Sequence, residues 1–149
     1  MMDDQFKDLM TMYLEDFQAG RLNCSESVLI TMCNYYDVDM NVCPMIATAF
    51  GGGICGKQGL CGAVSGALMV IGLRHGRELG GDKTAAYDLG KRFIAWFEQT
   101  HGTSICRDLI QMDLSDPDQM ALFRAPGGKH ETLCQKYVSS ACEWLAANL

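Results

Sequence analysis

The chain has no C-x-x-C pair, although it carries eight cysteines in 149 residues. Their absence removes the usual local spacings of zinc ribbons, thioredoxin-like redox sites and bacterial ferredoxins. C-x-x-C-H is missing as well, which excludes covalent haem attachment of the usual kind. No apolar run reaches the ~18 residues of a membrane-span candidate, and the acidic start Met1 to Asp8 has no signal-peptide hydrophobic region. Lys and Arg form no run and the net charge is −6, so neither nucleic acid nor an anionic membrane is expected as a partner. No stretch alternates with the period of a strand, and no 20–50-residue repeat is present. What remains is the expectation of a soluble, cytoplasmic, helical chain, unless a leader has been removed.

Composition is that of a globular protein, with 48% hydrophobic and 20% charged residues. A single domain over 1–149 buries roughly 68–70% of its unfolded surface and needs no disulfide to be stable. In a reducing compartment, surplus cysteine is metal-binding, redox-active or buried as a small apolar filler.

The apolar positions Phe6, Leu9, Met10, Tyr13, Leu14 and Phe17 predict an amphipathic helix over 4–18, ended by Gly20. Asn23 with Glu26 three residues on reads as a capping box, making Cys24 the first residue of a helix to about Tyr36. A connection follows over 37–42, and Pro44 suits the first position of a shorter helix through Phe50. Beyond a glycine-rich loop, a helix over about 61–75 has the small residues Gly62, Ala63, Ser65, Gly66, Ala67 and Gly72. Each interior glycine costs about 1 kcal/mol relative to alanine, so close packing must offset the loss and this helix is expected at the centre. The same small residues would permit a close helix pair, hence a homodimer. Further helices are predicted over 82–101, over a short segment around Cys106 capped by Thr103 or Ser104, and over 129–147. Residues 113–128 read as irregular, with one helical turn near 119–123. The expectation is an all-α, single-domain bundle of about six to eight helices around the 61–75 helix.

Cys24, Cys61 and Cys106 each fall near a predicted helix start, where unpaired N–H groups and partial positive charge favour a thiolate. Cys134 comes early in the last helix. These four are far apart in the chain, so only tertiary packing can gather them. The stretch Gly51 to Gly66 holds seven glycines together with Cys55 and Cys61, a density that suits close approach of backbone to another group. Gly52, Gly53, Gly62 and Gly66 are therefore the expected cofactor contacts. Cys33 lies about 180° around the helix from Cys24, and Cys142 about 80° from Cys134. Cys43 falls in a connection, and Cys55 is open between a fifth thiol, a resolving partner and an exposed passenger. His75 and His101 sit at helix ends, where the dipole explains them; His130 shares a helical face with Cys134. Gly51 to Gly56-Lys57 has phosphate-loop spacing, but Gln58 replaces the magnesium-binding Ser or Thr and no strand precedes the loop.

Several of these segments together resemble one family. They are Asn23-Cys24 with Val28-Leu29, Phe50-Gly51-Gly52-Gly53-Ile54, Cys61-Gly62-Ala63 with Gly66-Ala67, Cys106-Arg107 with Leu109, and Cys134. The chain so resembles the C-GCAxxG-C-C family of redox-active proteins, with the order Cys-Gly-Ala where the family's name has Gly-Cys-Ala. The resemblance implies a redox role with a bound prosthetic group. A similar cysteine-bearing region is associated with split-Soret cytochromes, which suggests an iron–sulfur cluster, while the missing haem motifs keep a cytochrome function from carrying over. On this reading Cys24, Cys61, Cys106 and Cys134 supply the four thiolates of a [2Fe–2S] or [4Fe–4S] cluster. Electrons would be exchanged with a partner protein or a small-molecule donor or acceptor. Three alternatives stand beside it. One is a metal-free thiol–disulfide oxidoreductase or sensor, in which Cys61 attacks and Cys24 or another cysteine resolves. The others are a structural zinc module with four cysteine ligands and a helical interaction module with merely buried cysteines.

Overall fold

The computed structural model describes residues 2–39 and 43–149, with the side chain of residue 43 outside that description. The connection expected over 37–42 and the role of Cys43 fall partly or wholly outside the described residues. Helix α1 (Asp4–Gln18) opens on Asp3, whose carboxylate accepts the Phe6 N–H at 2.8 Å. Helix α2 (Cys24–Tyr35) has both halves of the expected capping box: Asn23 accepts the Glu26 N–H at 2.8 Å, and Glu26 accepts the Asn23 N–H at 2.9 Å. Next come α3 (Cys43–Ala47) with a 3₁₀ turn over Thr48–Phe50, and α4 (Gly62–His75) with Cys61 as its N-cap. Then follow α5 (Thr84–His101), α6 (Cys106–Ile110) and α7 (Pro117–Arg124). A π-helical turn, His130–Cys134, runs directly into α8 (Gln135–Asn148).

The result is all-α, as the periodicity predicts. Among the described residues the one β-type contact outside helices is a single antiparallel bridge between Leu60 and Ile105. No described helix is long and apolar enough to cross a membrane.

Helices α2 and α4 form the centre, with α1, α5 and α8 packed around them. The small residues of α4 are the cause. Gly62 through Ala67 are buried, and a Cβ on Gly66 would lie 2.7 Å from the Ser25 carbonyl oxygen. Two helices in such contact leave room only for small side chains between them, and Ser25 and Ser65 face one another there at 3.4 Å. Gly62 and Gly66 thus pack against α2 within one chain, whereas Gly72 of the same helix is exposed with open space beside it. Around this centre Phe6, Phe17, Leu29, Met32, Ile71, Phe93, Phe97 and Leu145 are fully buried, each worth roughly 1.5–3 kcal/mol against exposure.

Three local expectations are corrected. The irregular stretch at 113–128 contains the eight-residue α7, because Pro117 is a helix start and not a breaker. Asp116 caps it, accepting the Asp118 N–H at 2.9 Å. The N-cap of α6 is Ile105, not Thr103 or Ser104. Thr103 instead accepts the Ile105 N–H at 3.1 Å, and the Ser104 hydroxyl donates to Glu98 at 2.7 Å. Finally, the last helix begins with a π turn: the Gln135 N–H reaches back five residues to the His130 carbonyl.

Candidate functional site

The glycine loop is a left-handed turn. Gly52, Gly53, Ile54, Cys55 and Gly56 take φ values of +61°, +72°, +68°, +51° and +69° in succession. Glycine adopts this conformation freely, whereas an L-residue in it costs roughly 1–2 kcal/mol. Ile54, being β-branched, is the more strained of the two that do so. Backbone bonds across the turn hold it: the Cys55 N–H donates to Ala49 O at 2.7 Å, and the Gly59 N–H to Gly53 O at 2.7 Å.

Gln58 fastens the loop to the rest of the molecule. It is 6% exposed, its Nε2 donates to Met112 O at 2.7 Å, and its Oε1 accepts the Leu114 N–H at 2.9 Å. The residue that spoils the phosphate-loop motif is therefore a brace. Alongside it the Cys61 N–H donates to Ser104 O at 2.8 Å, and the Cys106 N–H to Gly59 O at 2.7 Å. These bonds bring the starts of α4 and α6, each with its cysteine, side by side.

Cys24, Cys61, Cys106 and Cys134 all line one cavity of about 340 Å³. Cys55 lines it too, and is the exposed member of the five. The apolar part of the lining includes Phe17, Leu109, Ile110, Leu114, Met120 and Phe123. Arg124 and His130 stand in the lining, and among the described residues no Asp or Glu does. Of the four glycines expected at the site, Gly52 and Gly62 line the cavity and two do not. Gly53 lies behind the loop, where a Cβ would come within 2.6 Å of Gln58 Cα, and Gly66 packs on α2. Cys33 and Cys142 are buried in the core, apart from the cavity. His101 is bonded to the Ser140 hydroxyl at 3.0 Å, also away from it.

Cys24 occupies the most structured position. Its sulfur is approached by the backbone N–H groups of Gly52, Ser25 and Gly62 and by its own. A Cβ on Gly62 would collide with that sulfur, so the glycine of the Cys61-Gly62-Ala63 motif makes room for a different cysteine from its neighbour. At Cys61 no side-chain hydrogen bond of ordinary geometry caps α4, yet the Ala63 and Val64 N–H groups still favour the charged sulfur.

These N–H groups do not produce a low-pKa thiol, and that expectation is corrected. Burial raises Cys24 despite its donors. Cys61 is pushed well above the ordinary thiol range, by burial first and by the neighbouring Cys24 second. Burial and the charge of Cys24 raise Cys106 to about 11. Cys134 is pushed up by burial, then by Cys24 and Cys106, with Arg124 opposing. Ionisation of one thiol would oppose ionisation of its neighbours, since like charges close together disfavour one another. The thiols are neutral at pH 7 unless a cation joins them.

His130 stacks on Phe17 with ring centroids 4.4 Å apart and meets Phe123 edge-on at 5.5 Å. Burial and the Arg124 guanidinium, whose Nη1 is 3.4 Å from the ring Nε2, lower its pKa to about 4. It is a neutral imidazole in the cavity wall. The sequence pairs His130 with Cys134 on one face, and both do line the cavity. Arg124 and Phe123 carry no signal in the sequence that points to the site; Cys55 does, by lying inside the glycine loop.

Among the described residues no three of His, Cys, Asp and Glu are arranged to hold a single metal ion. The thiols surround a space; they do not meet at a point. A family model described as "Putative redox-active protein (C_GCAxxG_C_C)" matches residues 22–148. No curated protein and no solved structure matches the chain.

Proposed function

The chain belongs to the C-GCAxxG-C-C family of redox-active proteins, and from that premise we propose that Cys24, Cys61, Cys106 and Cys134 hold an iron–sulfur cluster used for electron transfer. The observation that carries this reading is the lining of one cavity by these four thiols, with no acid among the described lining residues. Burial and mutual repulsion both oppose their ionisation, and a cationic metal group reverses both effects, because ligation and deprotonation of thiols go together. A cavity of about 340 Å³ that the thiols line together with other residues has room for a polyatomic group as well as a single ion.

The chain's own residues have distinct parts in this reading. Gly52 and Gly62 direct N–H groups at the Cys24 sulfur, where hydrogen bonds stabilise the charged form and tune a bound group's potential. Arg124 supplies positive charge beside Cys134. Phe17, Leu109 and Phe123 give the cavity apolar lining that disfavours water. Bound there, a cluster supplies a one-electron couple, which a partner protein or a small carrier would draw on.

The test is metal and sulfide analysis on protein purified without oxygen. Stoichiometric iron and acid-labile sulfide with a brown, visible absorption are expected. A chain that takes up neither after reconstitution overturns the reading. Stoichiometric zinc in their place would favour the structural zinc module. Loss of two thiols on mild oxidation of a metal-free chain would favour the thiol–disulfide reading, for which the exposed Cys55 on the same cavity is the supporting observation.

A further inference from the structure

We propose that Cys55 is the access thiol of the cavity, the residue through which a thiophilic metal group reaches the four deeper cysteines. This inference rests on the reading that those four hold a metal cluster. It starts from an asymmetry among the five thiols on the cavity. Cys61 is 6% exposed and Cys24, Cys106 and Cys134 are part-buried, whereas Cys55 is exposed to solvent while lining the same space. It is held there by the left-handed turn, whose neighbouring Gly56 is also exposed and also lines the cavity. The conformation is not set by Cys55's own preference, since cysteine gains nothing at φ +51°. Backbone bonds on both sides impose it: Cys55 N–H to Ala49 O, and Gln58 N–H to Gly52 O at 2.9 Å. The loop that directs the Gly52 N–H at the Cys24 sulfur thus also carries an accessible thiol to the mouth of the same site.

The chemistry needs such a group. A metal group carried by a small thiol is transferred by ligand exchange, which begins at a sulfur that the carrier can touch. Cys61 is buried and the other three are part-buried, so they offer a carrier little surface. Cys55 forms a sulfur–metal bond as the bond to one carrier thiol breaks, and its proton passes to the departing thiol. No electrons change hands. Each deeper cysteine then displaces a ligand in the same way, releasing its proton as it binds, and Cys55 is freed when the four are in place.

The experiment compares the full-length chain with a Cys55→Ser variant under anaerobic conditions. Ferric iron, sulfide and excess glutathione are supplied, the thiol being oxidised to disulfide as it reduces part of the iron, and loading is followed by visible absorption and by final iron and sulfide content. The variant is expected to load about tenfold more slowly and reach the same content, because an attacking thiol is replaced by a weakly nucleophilic hydroxyl. Equal rates overturn the access role and leave the cluster reading intact. A lower final content overturns it in favour of Cys55 as a permanent ligand. Failure of the unaltered chain to load overturns both readings. A second measurement needs no metal: brief iodoacetamide treatment of the metal-free chain at pH 7, read by peptide mass. Cys55 is expected to be alkylated first, and earlier labelling of Cys24, Cys61, Cys106 or Cys134 overturns the proposal.

Discussion

Cys134 and Cys142 lie eight residues apart on one continuous helical segment, and the structure treats them in opposite ways. Cys142, in the regular α8, is fully buried beside Thr31 and takes part in the packing of α8 on α2. Cys134, at the end of the π turn, faces a cavity with four other thiols. Burial raises the pKa of both, so the direction of that shift does not distinguish them. What differs is the company. Cys142 has a packed core around it, and Cys134 has space, other thiols and the Arg124 guanidinium around it. The same contrast holds for the molecule as a whole. One side is ordinary helix packing among α1, α2, α4, α5 and α8. The other is assembled from a left-handed turn, two short helices and a π turn, and all five cavity thiols look into it or sit at its seam.

The largest effect that separates the two sides comes from exchanging their cysteines. Cys134→Ser should abolish iron and sulfide uptake with little change in helix content. Cys142→Ala should leave uptake intact and lower stability by about 1 kcal/mol, the cost of a small cavity in a packed core. Metal analysis and denaturant melts on both variants check this. Loss of uptake in the Cys142 variant, with the fold preserved, would break the comparison.

The brace on the cavity side is the next point to probe. Gln58→Leu leaves the Met112 carbonyl and the Leu114 N–H without the partners they now have. A fully buried orphan costs about 1–3 kcal/mol, and these two groups, being part-buried, should each cost less than that. The loss should appear as a lower denaturant midpoint with an unchanged slope, together with faster amide exchange in the 51–60 loop. A change confined to the core helices would mean that the two sides are not separable in this way.

At the seam, Gly62→Ala places a methyl group where the Cys24 sulfur sits, with the Ser25 nitrogen 3.1 Å and the Phe50 oxygen 3.2 Å from it. The sulfur can rotate away and the backbone cannot, so a stability loss of about 1–3 kcal/mol is expected. Metal uptake should weaken at the same time, because Cys24 leaves its ring of N–H donors. Unchanged uptake would show that the cradle around Cys24 is not needed to hold a metal group.

The regular side is the part that the sequence makes legible. Six apolar positions at helical spacing give α1, the Asn23–Glu26 pair gives the start of α2 to the residue, and the glycines of α4 point to its central place. These are local rules acting on residues close in the chain. That Cys24, Cys61, Cys106 and Cys134 line one cavity agrees with what helix starts, glycine context and the family resemblance single out, because those signals are local. What could not be read is the electrostatic outcome. Helix starts argue for low thiol pKa values, and only the tertiary burial of Cys61 and Cys106 reverses the sign. Nor could spacing show that Ile54 and Cys55 join three glycines in a left-handed turn, since that strain is offset by bonds to Ala49 and by the brace from Gln58 to 112–114. The π turn escaped for a similar reason: it adds no residue type of its own, and only shows in which carbonyl the Gln135 N–H meets.

The last prediction concerns that π turn, where the cavity side and α8 join. His130 is held neutral between Phe17 and Phe123, and its pKa falls from 6.5 to about 4. The folded state therefore binds this proton less tightly than the unfolded chain does. Above pH 6.5 neither state is protonated and its contribution to stability is fully present. As the pH falls from about 6.5 to 4 the unfolded chain takes up the proton first, and that contribution is progressively lost. Melts of the metal-free chain between pH 7 and 4 should show this loss, and a His130→Gln variant should show a shallower dependence over the same window. His101, on the core side, is also lowered by burial, but it lies beside Lys136 and the Ser140 hydroxyl, away from the cavity. If a His101→Gln variant removes the acid dependence and His130→Gln does not, the proton-sensitive group belongs to the core side and the contrast between the two histidines must be redrawn.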